Sequence, residues 1–253
     1  MSLLISLRSE ALKTKRTAAF YFTLIGAAIV PLIYLLNVFT DGLSDTKKDP
    51  LNAILRLNGE MNGFAFFPLF VVLVCTLLPQ IEHRNNTWKQ VLTAPRSKAT
   101  VFVAKLLNVQ LLLLLFLVAN HVFIFLAIVI AHFADPSVGL LHQPLNGTVV
   151  LTRAANTYIT ISALCAAQFW MGLRFRNFIV PTAIGLAFWL TGTLMVLEYH
   201  SRAAEYFPYS FQLFGIMPNL RPQLVQVVWT SLAYGAVFLL LGYWDFSRRR
   251  MHQ

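Results

Sequence analysis

Long apolar runs alternate with short polar segments along most of the chain. A membrane-spanning helix needs about 20 mainly apolar residues. Six segments meet that requirement, at residues 18–39, 61–78, 101–131, 154–171, 178–197 and 224–244. The pattern therefore predicts an all-α integral membrane protein with six transmembrane helices. No internal repeat or low-complexity linker divides it, so residues 1–253 are expected to form a single transmembrane domain.

The overall composition agrees with a membrane protein. Of the 253 residues, 57% are hydrophobic and only 12% are charged, whereas soluble domains carry roughly 25% charged residues. The chain has two cysteines, Cys75 and Cys165, and each lies within an apolar segment. A disulfide framework is therefore not expected.

The formal net charge of +10 raises the question of nucleic acid binding. The basic residues cluster at the ends of the apolar segments, which favours a role in membrane orientation instead. With the N-terminus in the cytoplasm, 14 of the 20 Lys and Arg residues face the cytoplasm and seven of the ten acids face outward. Because an excess of Lys and Arg marks the cytoplasmic side, both termini are predicted to be cytoplasmic.

The polar segment at residues 81–98, IEHRNNTWKQVLTAPRSK, follows the second span. At 100° per residue, Ile81 and Trp88 fall on one side of a helix, and Glu82 and Lys89 fall on the other. The segment is therefore predicted to form a short amphipathic helix at the cytoplasmic interface. Such a helix is either an interfacial anchor or a docking surface for a cytoplasmic partner, and an acid on its polar face favours docking.

This segment also resembles the cytoplasmic signature of ABC-transporter type-2 permeases. The resemblance is carried by Glu82 soon after the second span, the Thr87-Trp88 pair and the Pro-x-Ser-Lys ending at residues 95–98, with Lys105 at the start of the third span. More narrowly, it is similar to the small six-span permeases of bacterial lantibiotic-immunity and antibiotic-efflux transporters. Residues 7–13 resemble the amphipathic interfacial helix that precedes the first span in that family.

The resemblance implies the permease subunit of an ATP-driven exporter, a multi-pass protein of the bacterial cytoplasmic (inner) membrane. Its expected substrate is hydrophobic or amphipathic, such as an antimicrobial peptide or a lipid-like molecule. The segment after the second span would then be the coupling helix that contacts cytoplasmic ATPase subunits. Its expected contact residues are Glu82, Arg84, Thr87, Trp88 and Lys89. Glu82 is the acid expected to pair with a basic residue of the ATPase.

The chain contains no G-x-x-x-x-G-K-[ST] phosphate loop, the motif that binds nucleotide phosphates in many ATPases. It is therefore not expected to be an enzyme or to hold a cofactor of its own. ATP and Mg²⁺ would be bound by the partner ATPase. The family resemblance further implies a second permease chain, identical or related, because six spans make half of the usual pathway.

Polar and aromatic residues within or near the later spans are candidates for a substrate path or gate. They are Asn120, His121, Gln168, Tyr206 and Phe207. Polar groups at membrane depth are functional candidates, although helix packing is the simpler interpretation for the residues within spans. For the aromatic residues of the last outer loop, the alternative is an interfacial belt.

Two other classes of protein remain open. His121 and His132 lie eleven residues apart on one helical face, and Asp135 follows, so a membrane-embedded metal-dependent enzyme is one alternative. The simpler interpretation of these histidines is a hydrogen bond within the bundle and a position at the interface. The other alternative is a non-transport membrane scaffold or sensor whose cytoplasmic helix docks a regulator.

Overall fold

The computed structural model describes residues 3–41, 49–85, 88, 96–134, 136 and 139–248. This part of the chain is helical and contains no strand. The α-helices are α1 (Leu3–Thr14), α2 (Ala18–Asp41), α3 (Pro50–Met61), α4 (Phe67–Arg84), α5 (Lys98–Ala134), α6 (Gly147–Thr160), α7 (Ser162–Arg174), α8 (Ile179–Leu197), α9 (Phe211–Ile216) and α10 (Leu224–Arg248). A π-helical turn at Asn62–Phe66 joins α3 to α4. Short 3₁₀ turns lie at Leu140–His142, Arg202–Tyr206 and Pro218–Gln223.

The helical segments account for the predicted spans. Among the described residues, five helical segments are long and apolar enough to cross a membrane, and the bent pair α6–α7 makes a sixth. The all-α membrane fold is thus confirmed. The second span extends far beyond the predicted 61–78, because Pro50–Arg84 is one helical segment. Its added polar turns are accommodated by contacts such as that of Asn58 with Asn120 Oδ1, at 2.8 Å.

Contacts between helix ends define two ends of the bundle. At one end, Lys98 Nζ donates to the Ser247 carbonyl at 2.6 Å, and Arg174 Nη1 lies 2.6 Å from Asp245 Oδ1. The helix α1 packs at the same end of the bundle. We therefore call this end the terminus end and the opposite end the far end. Both described chain ends lie together, as six crossings require. Which side of the membrane the terminus end faces stays a prediction.

The fourth span is broken at Ile161, where α6 and α7 meet at a 41° bend. Ser231 of α10 occupies the break. Its hydroxyl donates to the carbonyls of Ile159 (3.1 Å) and Thr160 (2.9 Å) and accepts from the Ala163 N–H at 3.3 Å. A side chain inserted among the backbone hydrogen bonds of a helix is a known cause of sharp kinks. The kink of the fourth span is therefore stabilised by a contact from α10.

The π-helical turn is stabilised by a similar substitution of partners. Pro68 has no backbone N–H and cannot donate to the carbonyl of Phe64, four residues earlier. Trp189 of α8 donates to that carbonyl instead, from its Nε1 at 3.2 Å. The second and fifth spans are therefore joined at the Phe64 carbonyl, to which Pro68 cannot donate a helical hydrogen bond.

The helices α4 and α7 approach each other unusually closely at Gly172. A Cβ at this position would overlap the backbone carbonyl of Cys75. Nearby, the sulfur atoms of Cys75 and Cys165 lie 3.8 Å apart as buried free thiols. The second and fourth spans thus approach too closely at Gly172 for any larger residue to fit without a shift of the backbone.

The loop that follows α8 folds back into the far end of the bundle. The side chains of Phe211 and Leu213 in α9 are fully buried. Tyr209 donates from its hydroxyl to Gln168 Oε1 at 2.9 Å, and Gln168 Nε2 donates to the Pro181 carbonyl at 2.6 Å. This part of the loop is packed protein interior, which differs from an aromatic belt at the interface.

Candidate functional site

Four charged side chains form a cluster at the terminus end, in which Glu10, Glu82 and Lys105 are buried and Lys13 lies at the exposed edge. Lys105 Nζ lies 2.8 Å from both Glu82 Oε1 and Glu10 Oε2. Lys13 Nζ lies 2.9 Å from Glu10 Oε1 and 3.1 Å from Glu82 Oε1. The side chains of Glu82 and Lys105 are only 1% and 5% exposed. We call these residues the charge cluster; its two acids and two bases balance one another.

Three separate segments bring the charge cluster together. Glu10 and Lys13 are three residues apart on α1 and therefore share a helix face. Glu82 is in the last turns of α4, and Lys105 is near the beginning of α5. A buried charge is costly unless it is paired, so each segment holds the other two in place.

A hydrogen-bonded pair extends this junction between α1 and α5. Asn108 Nδ2 donates to Thr14 Oγ1 at 2.7 Å, and the Thr14 hydroxyl donates to the Glu10 carbonyl at 3.0 Å. Asn108 and Thr14 are both buried. Residues 7–13 are therefore helical, as part of α1, and one face of this helix is bound to the spans through polar contacts; its position at the membrane interface stays a prediction.

Trp88 packs over the charge cluster. Its ring centroid lies 5.4 Å from Lys105 Nζ, a distance compatible with a cation–π contact. The ring also lies 5.3 Å from the His83 ring and 5.9 Å from the Phe246 ring. The segment after the second span is thereby joined to the end of α10 as well.

The charge cluster shifts the pKa of two groups outside the spans. Burial by itself would raise the pKa of the Glu10 carboxyl, but attraction and hydrogen bonds from Lys105 and Lys13 outweigh it, so that pKa lies below its ordinary value. Burial would lower the pKa of the Lys13 ammonium, but its bonds to Glu10 and Glu82 outweigh that cost and leave the pKa raised. Both groups are therefore held in their charged forms.

These shifts predict a loss of stability in acid. The contribution of Glu10 is complete above the ordinary carboxyl pKa and is lost as the pH falls through the lowered pKa of the folded protein. The contribution of Lys13 is complete below the ordinary ammonium pKa and is lost as the pH rises through its raised value. Thermal unfolding in detergent, measured from neutral to strongly acidic pH, should show a falling midpoint. Glu10→Gln should begin lower at neutral pH and lose less in acid; an identical acid slope would contradict this role.

The expectation that Glu82 offers its carboxylate to an ATPase does not match its geometry. Glu82 Oε1 is paired within the chain, and Glu82 Oε2 is buried without a hydrogen-bond partner among the described residues. Arg84 is exposed and Trp88 is half-buried. Thr87 and Lys89 lie outside the described residues. The role of these residues in coupling stays a prediction, with Glu82 beneath such a surface and not on it.

The candidate gate residues do not form one site, although Asn120 and His121 both line the smaller of two cavities at the far end. Asn120 is buried, and its Nδ2 donates to the Ala27 carbonyl at 2.9 Å. Gln168 is fully buried and is bonded to Tyr209 and Pro181 as described above. Tyr206 is exposed and accepts from Gln226 Nε2 at 3.2 Å, whereas Phe207 packs edge-on against Phe188. His121 lines two cavities at the far end.

The fold of the described part of the chain does not bring the proposed metal ligands together. No group of three or more His, Cys, Asp or Glu side chains in that part of the chain is placed to hold a metal ion. His121 Nδ1 bonds to the carbonyl of Leu117 at 2.7 Å, and His132 packs against His142 with ring centroids 5.7 Å apart. Asp135 lies outside the described residues, so the metal-enzyme alternative stays untested.

The site residues predicted from the sequence did not include Glu10, Lys13 and Lys105. Each had a visible signal. Glu10 is one of only three acids on the predicted cytoplasmic side, and Lys105 lies inside an apolar segment, where an unpaired charge is unfavourable. What the sequence did not supply was the distance between them, since residues 10, 82 and 105 meet only in the folded chain.

The fold and its apolar spans define a multi-pass helical membrane protein. A comparison with protein families matches residues 6–192 to the ABC-2 family of transporter proteins. The match covers more than half of the chain, so this protein belongs to that family. A comparison with curated protein sequences found no match.

Family membership confirms the broader resemblance seen in the sequence. The match begins within α1, includes the segment at residues 81–98, and ends at residue 192 within α8, the fifth span. The narrower resemblance to lantibiotic-immunity and antibiotic-efflux permeases stays a prediction.

Proposed function

We propose that this chain is the permease subunit of an ATP-driven exporter in the bacterial inner membrane. A separate cytoplasmic ATPase would bind ATP and Mg²⁺ and dock at the terminus end. A second permease chain, identical or related, would complete the pathway. The expected substrate is a hydrophobic or amphipathic molecule, of which antimicrobial peptides and lipid-like molecules are the leading examples.

The charge cluster is the observation that best supports this proposal. A docking surface can drive transport only if its displacement reaches the spans. Here the end of α4, just before that segment, is anchored to α1 through Lys13 and to α5 through Lys105, at 3.1 and 2.8 Å from Glu82 Oε1. A load applied near Trp88 would therefore move the first three spans together, because desolvated ion pairs are costly to separate.

The end of α10 would follow the same movement. Phe246 packs on Trp88, and Asp245 binds Arg174 at the end of α7 as well as Trp170 Nε1 at 3.3 Å. The fourth and sixth spans are thereby attached to the same surface. In the mechanism we propose, the exposed residues around Arg84 contact the ATPase and the buried charge cluster positions them.

Copurification from native membranes tests this proposal. The tagged chain should bring down a soluble protein that carries a phosphate loop and hydrolyses ATP. Arg84→Glu should weaken its retention about tenfold, because reversing one interfacial charge typically costs about 1.4 kcal/mol or more. Arg176→Glu is the matched control, since Arg176 is an exposed arginine at the same end.

Two outcomes separate the parts of the proposal. If no ATPase copurifies with the wild-type chain, and reconstituted vesicles show no ATP-dependent transport, the exporter function is wrong and a scaffold or sensor becomes the better interpretation. If an ATPase copurifies but Arg84→Glu and Arg176→Glu retain it equally, the function stands and the docking position is wrong.

A further inference from the structure

Two adjoining cavities lie at the far end between α3, α5 and α6. Their volumes are about 310 Å³ and about 890 Å³, comparable with small-molecule sites of roughly 300–1,000 Å³. Both are lined by Leu55, Leu117, His121, Val150 and Ala154. We call the pair the far-end cavity, with the smaller one as its polar part and the larger one as its apolar part.

The polar part contains arginines whose charge is only partly neutralised. Arg56 Nε and Arg153 Nη1 each lie 3.9 Å from Glu60 Oε1, longer than the roughly 2.7–2.9 Å of a charge-assisted hydrogen bond. Glu60 Oε1 is buried and has no hydrogen-bond partner in the described part of the chain. The positive charge of Arg221 also acts on Arg153. The arginines therefore outnumber the acid they share, which favours an anion between them.

The remaining acid of the polar part is already engaged. Asp49 accepts hydrogen bonds from Asn52 Nδ2 on both carboxylate oxygens, at 2.9 and 2.8 Å. It also accepts from the Asn52 backbone N–H at 3.3 Å and so caps α3. Its carboxylate is therefore engaged at the beginning of the helix, and the charges that act on Arg153 are those of Glu60, Arg221 and Arg56.

Asn62, which lines the same polar part, carries a hydrogen-bond acceptor without a partner among the described residues. Asn62 is only 4% exposed and lines the cavity. Its Nδ2 donates to the Asn58 carbonyl at 3.0 Å, whereas its Oδ1 has no hydrogen-bond partner among the described residues. Buried acceptors are nearly always paired, and π-helical turns such as the one that Asn62 begins occur frequently at functional sites. The polar part thus offers positive charge from the arginines and a hydrogen-bond acceptor from Asn62.

The apolar part opens toward the lipid-facing side of α5 and α6. Among its lining residues, Val118, Phe125 and Leu151 are 61%, 54% and 73% exposed. A molecule in the polar part can therefore extend an apolar chain past His121 and Ala154 into a concave, hydrocarbon-like surface. The two parts together match an amphiphile.

We propose that the far-end cavity binds a phospholipid with an anionic headgroup that carries hydroxyl groups. The phosphate lies between Arg56 and Arg153, a headgroup hydroxyl donates to Asn62 Oδ1, and one acyl chain occupies the apolar part. A zwitterionic choline headgroup supplies no hydroxyl donor and adds a cation beside the arginines. The cavity is formed by one chain alone, so this inference does not depend on the proposed transport function.

Native mass spectrometry of the purified chain in detergent tests the proposal. Phosphatidylglycerol and phosphatidylcholine with the same acyl chains are the probes, added without nucleotide or ATPase. Phosphatidylglycerol should be retained about tenfold more strongly, because only its headgroup supplies the hydroxyl for Asn62 Oδ1 and places no cation beside the arginines, and one hydrogen bond supplies a factor of that order. Arg153→Gln and Arg56→Gln should each remove most of this preference. Arg202→Gln should preserve it, because Arg202 is an exposed far-end arginine outside the cavity lining.

A steric variant provides a second, independent arm. Ala154→Phe fills the junction of the two parts and should reduce binding of both lipids without changing a charge, provided that size-exclusion chromatography shows a folded chain. Equal retention of the two lipids by the wild type overturns the proposal, as does unchanged preference in Arg153→Gln. Because no ATPase is present, neither result bears on the permease function.

Discussion

Replacing Lys105 with Met should strongly destabilise the protein. Lys105 is 5% exposed and is the base that contacts both Glu10 and Glu82 at 2.8 Å. Without it, two buried carboxylates share Lys13 alone. Removing one partner from a buried ionic group typically costs about 3–5 kcal/mol, so the midpoint of thermal unfolding in detergent should fall well below that of the wild type.

Two variants make this test specific. Lys15→Met removes an exposed lysine just beyond α1 and should change the midpoint little. The double variant Lys105→Met with Glu82→Gln removes one acid together with the base and should recover part of the loss, because residues in one network are not additive. A Lys105→Met protein as stable as Lys15→Met would show that the charge cluster does not hold α1, α4 and α5 together.

Gly172→Ala should have the second large effect. The added Cβ would overlap the Cys75 carbonyl oxygen, and its next neighbours are the Cys75 carbonyl carbon at 3.0 Å and Thr76 Cα at 3.2 Å. Because these are backbone atoms, a side-chain rotation cannot relieve the overlap, and α4 and α7 must separate. Overpacking of this kind costs about 1–3 kcal/mol, occasionally more, which exceeds the gain of about 1 kcal/mol that alanine brings to a helix.

The two cysteines report on the same separation. Cys75 and Cys165 are buried free thiols, so a membrane-permeable maleimide should label them faster in Gly172→Ala than in the wild type. Gly59→Ala is the matched control, since a Cβ at Gly59 meets no atom within 4 Å, and it should be neutral or slightly stabilising. Equal midpoints and labelling rates in both variants would refute the close approach of α4 and α7.

The spans were predictable because the bilayer imposes a simple rule on the sequence. Apolar runs such as 101–131 and 224–244 are long enough to cross the membrane. Within the bilayer their backbone groups must be hydrogen-bonded internally, which favours helices. The extension of the second span to Pro50 was missed, because Asn52, Arg56 and Glu60 make α3 too polar for a hydropathy reading. Their partners come from elsewhere in the chain, as with Asn58 and Asn120.

The kink of the fourth span shows a different limit. Residues 154–171 read as one helix, and the break at Ile161 depends on the hydroxyl of Ser231, about 70 positions later in the chain. Whether this helix is continuous or kinked depends on such a partner from elsewhere in the chain. No local pattern around Ile161 contains that information.

The candidate coupling site stays a prediction from the combination of Glu82 and Trp88 after the second span. The structure shows that Glu82 is buried and paired with Lys13 and Lys105. Burial and pairing depend on which charges meet, and Lys13 and Lys105 reach Glu82 from segments 69 and 23 positions away.

The sequence by itself thus determined that this is a multi-pass helical membrane protein, because span length is a local property that the bilayer selects. Its resemblance to the ABC-2 type was carried by the residues that follow the second span. Only the tertiary structure decided which polar groups are buried together. It closed the charge cluster around Glu82, placed Ser231 in the break of the fourth span, and left Asn62 and the arginines facing a cavity. Ion pairs and hydrogen bonds act over about 3 Å in space regardless of sequence separation, so their partners are known only once the spans are packed.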